Sequence, residues 1–412
     1  MTCRNNKLLA ILLIASGIFL LYPLAQAQSS PIIFIWNGTD YARVYPFTDQ
    51  NRANTQRVQC FKFDMTSGKY VCQNGGPPIT VPLAGYFCTT VDIVADAPQQ
   101  QPPPPPPTTY GYCLGQPTNT HDFNADMISD IAWRNLTGDI AIWLMNGANL
   151  ASAGGLGNLP ATWSIVGQRD FDGDGNYDLL WRDTGGNTAI WFMKGTTVAS
   201  AASIGNIPSN WTVVGTGDFN GDGMGDILWQ DSSGNLSVWL MSGATVLASG
   251  GIGNLPPATW TLAGTGDFDG NGKTDLLWRD NLGNTAIWFI NGTQVASAAG
   301  IGNVATVWTV VGTGDFNGDS MSDIVWRDNL GNTSIWLMNG GAVLSAGGIG
   351  NVPTTWSVAL TGDYNDDGKS DLLWRDTSGN TAVWFMNGTA IASTGFVGNV
   401  PTTWTVQSVN AE

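Results

Sequence analysis

Glutamate is almost missing from this sequence. Of 32 acidic residues, 31 are Asp, and the single Glu is Glu412. Glutamate is a good helix former, and Gly takes 53 of the 412 positions, so the composition argues against a mainly helical fold. Histidine occurs once, as His121, which removes chemistry needing several imidazoles. Basic residues number only 16, giving a net charge of −16. Phosphate recognition needs a basic face, so nucleic acid is excluded as an expected partner. Charged residues make up 12% of the chain, about half the usual share. The 19 Trp and the other apolar residues rule out disorder of the whole chain. Only one stretch, near the N-terminus, approaches the length of a membrane span.

That stretch reads as an address. Arg4 and Lys7 precede an apolar run from Leu8 to Leu21, and Ala25-Gln26-Ala27 offers a small-x-small cleavage pattern. Residues 1–27 are expected to be a secretory signal peptide cleaved after Ala27, leaving a secreted or surface-displayed protein with no membrane span. The alternative, an uncleaved anchor, meets a run that is short for spanning. Cys3 leaves with the signal, while Cys60, Cys72, Cys88 and Cys113 remain, enough for two disulfides with three possible pairings. Residues 28–97 carry short apolar segments between turn signals and are expected to form a small β-rich module stapled by cysteines. Residues 98–121 are a Gln/Pro-rich linker whose run Pro102–Pro107 is a stiff, extended spacer.

From residue 122 to 412 the chain is one repeat. Asp122, Asp170, Asp218, Asp267, Asp315 and Asp363 follow one another at steps of 48, 48, 49, 48 and 48 residues. Such a period marks a propeller or a solenoid. Within a unit, an acidic loop joins a first strand to a second. Gly-Asn, as at Gly186-Asn187 and Gly283-Asn284, turns the second into the third. Asn-Gly, as at Asn291-Gly292 and Asn387-Gly388, turns the third into the fourth, and both of its residues suit a type I′ turn. A linker containing Gly-Asn-Leu-Pro then leads to the next unit. Four antiparallel strands per unit make a propeller blade, and no segment shows the 3.6-residue period of a helical solenoid. The loop at Asp122 has no Trp-bearing strand before it, and the chain ends with a spare one, Thr403-Trp404-Thr405-Val406. The prediction is an all-β fold: a six-bladed β-propeller of four-stranded blades closed by the C-terminal strand. A seventh blade from the N-terminal module is the alternative.

The loops have the pattern of metal sites. In Asp170-Phe-Asp172-Gly-Asp174-Gly-Asn176-Tyr-Asp178, oxygen side chains recur at positions 1, 3, 5 and 9, with Gly at 4 and 6. The carbonyl of Asn176 and a bidentate Asp178 would complete the six or seven oxygens that Ca²⁺ prefers. An EF-hand is excluded because position 12 is Trp181. Zinc would need His or Cys, and Mg²⁺ rejects crowded carboxylates. The sibling ligands are Asp218, Asn220, Asp222 and Asp226; Asp267, Asp269, Asn271 and Asp275; Asp315, Asn317, Asp319 and Asp323; Asp363, Asn365, Asp367 and Asp371. The poorest set is Asp122, Asn124, Asp126 and Asp130, where Ala125 and Met127 replace the glycines. The four ligand positions use 19 of the 31 Asp. Up to six Ca²⁺ are predicted, with the Asp122 site the weakest.

These loops, each followed by a strand, resemble the FG-GAP/VCBS repeats of integrin α-chain N-terminal propellers, of many bacterial secreted proteins and of some fungal lectins. The resemblance covers about 122–409. It implies a calcium-stabilised β-propeller for extracellular adhesion or ligand binding. The Phe-Gly and Gly-Ala-Pro landmarks of that family are not plainly present, so integrin-like binding itself is not implied.

Three Trp recur per blade, for example Trp181, Trp191 and Trp211, and an Arg follows the first in most blades. Packing between blades and an Arg–Asp pair closing a hairpin form the plain reading. The sharper one is a repeated ligand platform of Trp181 and Arg182, Trp278 and Arg279, Trp326 and Arg327, and Trp374 and Arg375. Two function classes follow. One is a non-catalytic protein binding an extracellular glycan or protein through repeated sites. The other is a carbohydrate-active enzyme, a glycosidase or lyase, on a propeller. A glycosidase needs two free carboxylates, and here most Asp are assigned to metal. No catalytic residue is therefore assigned.

Overall fold

The computed structural model describes residues 120–407 and, before them, the backbone of six short strands. Those strands, Leu8–Leu13, Ile18–Pro23, Ile32–Ile35, Tyr41–Arg43, Cys60–Asp64 and Lys69–Cys72, form two three-stranded sheets. The chain divides into two compact units, 1–114 and 115–412. The cleavage site after Ala27, the cysteine pairing and the proline run lie outside the described residues.

The second unit is a ring of six four-stranded antiparallel sheets. Blade 2 shows the plan: Trp163–Arg169, Asp178–Asp183, Asn187–Lys194 and Thr197–Asn206. The second strand is buried along almost its whole length because both of its faces meet neighbouring blades. The fourth strand is largely exposed and forms the rim. First strands of successive blades meet near the axis, where Thr313 Oγ1 donates to the Thr265 carbonyl at 2.8 Å and Thr361 Oγ1 to Thr313 at 2.7 Å. The core is not inside the blades but between them. At the seam of blades 1 and 2, for instance, Phe123 and Ile142 pack with Leu179 and Trp181.

Closure follows the sequence prediction, with six blades among the described residues. Trp404–Val406 pairs with Ile131–Asn135, setting Trp404 opposite Asn135 and Val406 opposite Trp133. Trp404 is half-buried, like Trp163, Trp211, Trp260, Trp308 and Trp356. The first strand of blade 1 is split between the two ends of the ring. Gln407 N–H donates to the Ala132 carbonyl at 2.8 Å, and Thr120 Oγ1 supplies the axial bond, 2.8 Å to the Thr361 carbonyl. Beside the split stands Leu360, where blades 2 to 5 carry Gly167, Gly215, Gly264 and Gly312. Its side chain is buried among Ile131, Trp133 and Tyr364 and fills the volume the break leaves.

Two local expectations are corrected. The fourth strand runs ten residues and includes the Gly-Asn read as linker, ending at Asn206 in blade 2. In the hairpin between third and fourth strands, Asn291 pairs with Gln294, so the two-residue turn is Gly292-Thr293 and not Asn-Gly. Only its first residue is left-handed, Gly292 at φ 63°, the arrangement a type II′ turn needs.

Candidate metal loops and blade seams

Each acidic loop folds around its first carboxylate. Asp170 Oδ1 accepts from Gly173 N–H at 2.7 Å and Oδ2 from Gly175 N–H at 2.9 Å. The turn requires left-handed backbone at positions 4 and 6, Gly173 and Gly175 at φ 76° and 92°. The Asp122 loop takes the same shape without glycine: Ala125 and Met127 stand at φ 58° and 70°. Ser320 and Asp366 do likewise in their loops, at 70° and 56°. Such residues cost ~1 kcal/mol each in this region, so the shape is retained against local preference.

In two loops, three carboxylates bring one oxygen each within 4.8 Å of one another: Asp170, Asp172 and Asp174, and Asp267, Asp269 and Asp275. The ninth-position Asp has a second task in every loop. Asp178 accepts from Phe171 N–H and from Met193 N–H, both at 2.9 Å, tying the loop to the third strand. Asp275 does this too, with Phe268 and Ile290, while also joining its triad. Asp178 itself is not among the converging carboxylates of its loop. Asn176 is buried and directs its amide to Asp174 Oδ1 at 2.8 Å. In the first loop, Asn124 Oδ1 is buried without a protein partner, an oxygen free for a cation.

Burial pushes these acids up. Asp130 and Asp178 are raised to about 9, and Asp226, Asp275, Asp323 and Asp371 to about 8. Burial comes first among the causes, neighbouring carboxylates add to it, and the amide donors oppose it. Asp122, Asp267 and Asp363 rise to about 7 for the same reasons. Clustered buried carboxylates of this kind suit a hard cation with oxygen ligands.

The loops are also linked to one another, which the sequence did not reveal. The Asp170 carbonyl accepts from Gly225 N–H of the next loop at 2.6 Å, and the Asp122 carbonyl accepts from Tyr177 N–H at 2.6 Å. The pattern continues through Asp218, Asp267 and Asp315 to Asp363, whose carbonyl accepts from Ser129 N–H at 2.7 Å and closes the circle. A second circle runs from the residue after each Asp. The Phe123 carbonyl accepts from Gly195 N–H at 2.6 Å in the next blade's hairpin, and the Tyr364 carbonyl from Gly147 N–H at 2.7 Å. Each loop therefore grips the following blade twice.

The Trp and Arg proposed as a ligand platform sit in the seams. Trp181, Trp278, Trp326 and Trp374 are 1% exposed. Arg182 does not turn to the adjacent Asp183. It donates to the carbonyls of Ile207, Pro208 and Trp211 at 2.9 to 3.1 Å. Its guanidinium lies 5.0 Å from the Trp229 ring of the next blade, a cation–π contact. Arg134 over Trp181, Arg279 over Trp326, Arg327 over Trp374 and Arg375 over Trp133 repeat it. At the seam of blades 3 and 4, Gln230 stands in for Arg and donates to the Leu255 carbonyl at 3.0 Å. Asp183 instead shapes its own hairpin, accepting from Gly185 and Asn187 N–H.

His121 is buried and neutral. Thr120 Oγ1 gives its hydrogen to the Thr361 carbonyl, so the His121 Nδ1 at 3.0 Å must carry the proton of their contact. Burial, aided by the Arg169 charge, pushes its pKa down to about 3.

Comparison with known proteins places the repeats. Residues 170–229, 218–278, 267–326 and 315–374 match the FG-GAP-like repeat family. No curated protein matches the chain. A solved lectin from Agrocybe aegerita, described for specific recognition of non-reducing terminal N-acetylglucosamine, is 15% identical with a TM-score of 0.51, covering 71% of this chain and 85% of the lectin. The C-terminal WD40 domain of Sif2 is 12% identical with a TM-score of 0.37, covering 68% of this chain and 88% of that domain. The lectin shares the propeller fold. Among the described residues, no helix is long and apolar enough to cross a membrane.

Proposed function

This chain belongs to the FG-GAP-like repeat β-propellers, and from that premise we propose that it is an exported, non-catalytic binding protein whose ring is held by calcium and whose ligand is a glycan. The observation carrying the calcium reading is the convergence of three carboxylates, one of them buried in each triad, in loops that keep one shape even where glycine is lost. Asp170, Asp172 and Asp174, with the carbonyl of Asn176 and the remaining lone pairs of Asp178, would hold the ion in blade 2, and their counterparts would do so in the other blades. A bound Ca²⁺ supplies charge neutralisation and no reaction step. The loops grip the next blade twice each, so the ion acts on the seams as well as on its own loop.

The glycan reading draws on the lectin that shares this fold. The Trp and Arg of the seams are occupied, so we place the ligand surface on the exposed tips at the end of the blades away from the acidic loops. There the hairpins between second and third strands expose Leu136, Leu282 and Leu330 at 70% or more. Next to Leu282, Asp280, Asn284 and Asn303 form an exposed chain of hydrogen bonds. Apolar surface beside planar polar groups suits a sugar ring and its hydroxyls. The test is a glycan array that includes N-acetylglucosamine-terminated chains, read in calcium and in EDTA, for the native protein and for Leu282→Asp. Binding to no glycan would end this reading, and so would binding indifferent to Leu282→Asp and to its counterpart Leu330→Asp.

A further inference from the structure

Asn-Gly is chemically the most fragile dipeptide in a protein, because glycine leaves its own amide nitrogen unobstructed for attack on the Asn carboxamide. Four such pairs stand at the tips of the hairpins between third and fourth strands, with Asn146, Asn291, Asn339 and Asn387 exposed to solvent. In each, the attacking nitrogen is held. Gly147 N–H donates to the Tyr364 carbonyl at 2.7 Å, Gly292 to Phe219 at 2.7 Å, Gly340 to Phe268 at 2.9 Å and Gly388 to Phe316 at 2.6 Å. Every acceptor is the second residue of the acidic loop in the preceding blade. Three further Asn-Gly pairs lie inside loops, and there the position-1 carboxylate holds the Gly nitrogen, from Gly221, Gly272 and Gly318, at 2.6 Å each.

We propose that Asn146, Asn291, Asn339 and Asn387 are calcium-gated deamidation sites, each kept intact by the acidic loop of the preceding blade and released when that loop loses its ion. The inference rests on the calcium reading above. In the released state the Gly nitrogen gives its proton to water or hydroxide and attacks the Asn Cγ. The N–Cγ bond forms, the Cγ–Nδ2 bond breaks, and ammonia leaves with a proton from solvent. Water then opens the cyclic imide to aspartate or isoaspartate, and no electrons change hands. An isoaspartate adds a methylene to the backbone beside a two-residue turn, so the strand pairing of Asn291 with Gln294 cannot re-form in register. The lesion is a permanent record of calcium loss.

The gate works because the acceptor carbonyls are as firmly placed as the loops that carry them. A loop of facing carboxylates without a cation repels itself, and local opening of the loop frees the nitrogen one blade downstream. The pairs are specific: the loop at Asp218 guards Asn291, that at Asp267 guards Asn339, that at Asp315 guards Asn387, and that at Asp363 guards Asn146. Asn291 should react first. Lys273 Nζ donates to its Oδ1 at 2.8 Å, drawing electrons from the carboxamide carbon under attack.

The test incubates the whole protein at mildly alkaline pH in calcium or in EDTA, with urea-unfolded protein as reference. Peptide mapping by mass spectrometry follows the four sites, and a parallel melt reports ion binding. In calcium, deamidation should run about tenfold or more below the unfolded rate, and EDTA should bring it towards that rate, Asn291 leading. A chelator that lowers the melt but leaves the four rates unchanged overturns the gating and spares the calcium reading. If neither melt nor rates respond, the calcium reading fails and the gating fails with it. Asp226→Asn should speed Asn291 alone, and equal acceleration at all four sites overturns loop-by-loop control. Should that variant not fold, the order of reaction in the native protein decides, since Lys273→Met must slow Asn291 and no other site.

Discussion

The guanidinium of Arg375 lies 4.8 Å from the ring centre of Trp133, so the last blade reaches across the closure and grips the first. The same contact recurs at four other seams and is missing only at the seam of blades 3 and 4, where Gln230 replaces Arg. Arg375→Gln should lower stability by about 1–2 kcal/mol, the range for a desolvated cation–π contact. Gln230→Arg should raise it by up to about 1 kcal/mol. Thermal or denaturant unfolding of the two variants checks both signs, and equal losses would show that the stacking contributes nothing.

Calcium removal should weaken the ring far more than any one seam contact. A site at a hundred times its dissociation constant adds about 2.7 kcal/mol to folding, and several such sites act together. EDTA should lower the melting temperature by more than ~10 °C, with calcium restoring it better than magnesium. A melt insensitive to chelator would falsify the metal reading.

The pH dependence in chelator has a definite sign. Asp130 and Asp178 at about 9, and Asp226 at about 8, hold protons more tightly when folded than when unfolded, where Asp titrates near ~4. Their contribution is present below that unfolded value and is lost as pH rises through 8 to 9. The ion-free protein should therefore melt higher at pH 5 than at pH 8. Calcium replaces those protons, so its affinity should rise over the same interval, which calorimetry in buffers of different ionisation heat would register.

The first loop carries two left-handed residues that are not glycine. Ala125→Gly with Met127→Gly should relieve that strain and tighten calcium at the Asp122 site. The net gain should be about 1 kcal/mol, because glycine also adds freedom to the unfolded chain. Calcium titration of the double variant against the native protein measures it.

Removing residues 403–412 takes away the strand that pairs with Ile131–Asn135 and leaves an open edge. The truncated protein should aggregate or melt early. A soluble ring of unchanged melting temperature would mean that blade 1 closes without its fourth partner.

The ring was legible because its signals are local and repeated. Six acidic loops in register and one spare Trp404 strand suffice to count blades and to find the closure. The Asp122 site was read as the weakest because sequence weighs Ala125 and Met127 by preference alone, while contacts with Tyr177 N–H and Gly195 N–H hold the shape of its loop from outside. The same limit hid the role of Arg182, since its carbonyl partners lie some 25 to 29 residues away. Asp178 was read as a ligand from its position. Its bonds to Phe171 and Met193 depend on a third strand that sequence spacing does not place in space.

The break in the ring falls inside a strand, between Gln407 and Thr120, and not between two blades. Any whole period of 48 residues cut from or copied into the interior leaves that join untouched, whichever residue the copy starts from. Blade number can thus change by duplication without a new closing device, provided the wedge angle of the seams allows another blade. A circular permutant that fuses the present ends and opens at the corresponding point of any other blade would present the same join, so no blade is intrinsically the first.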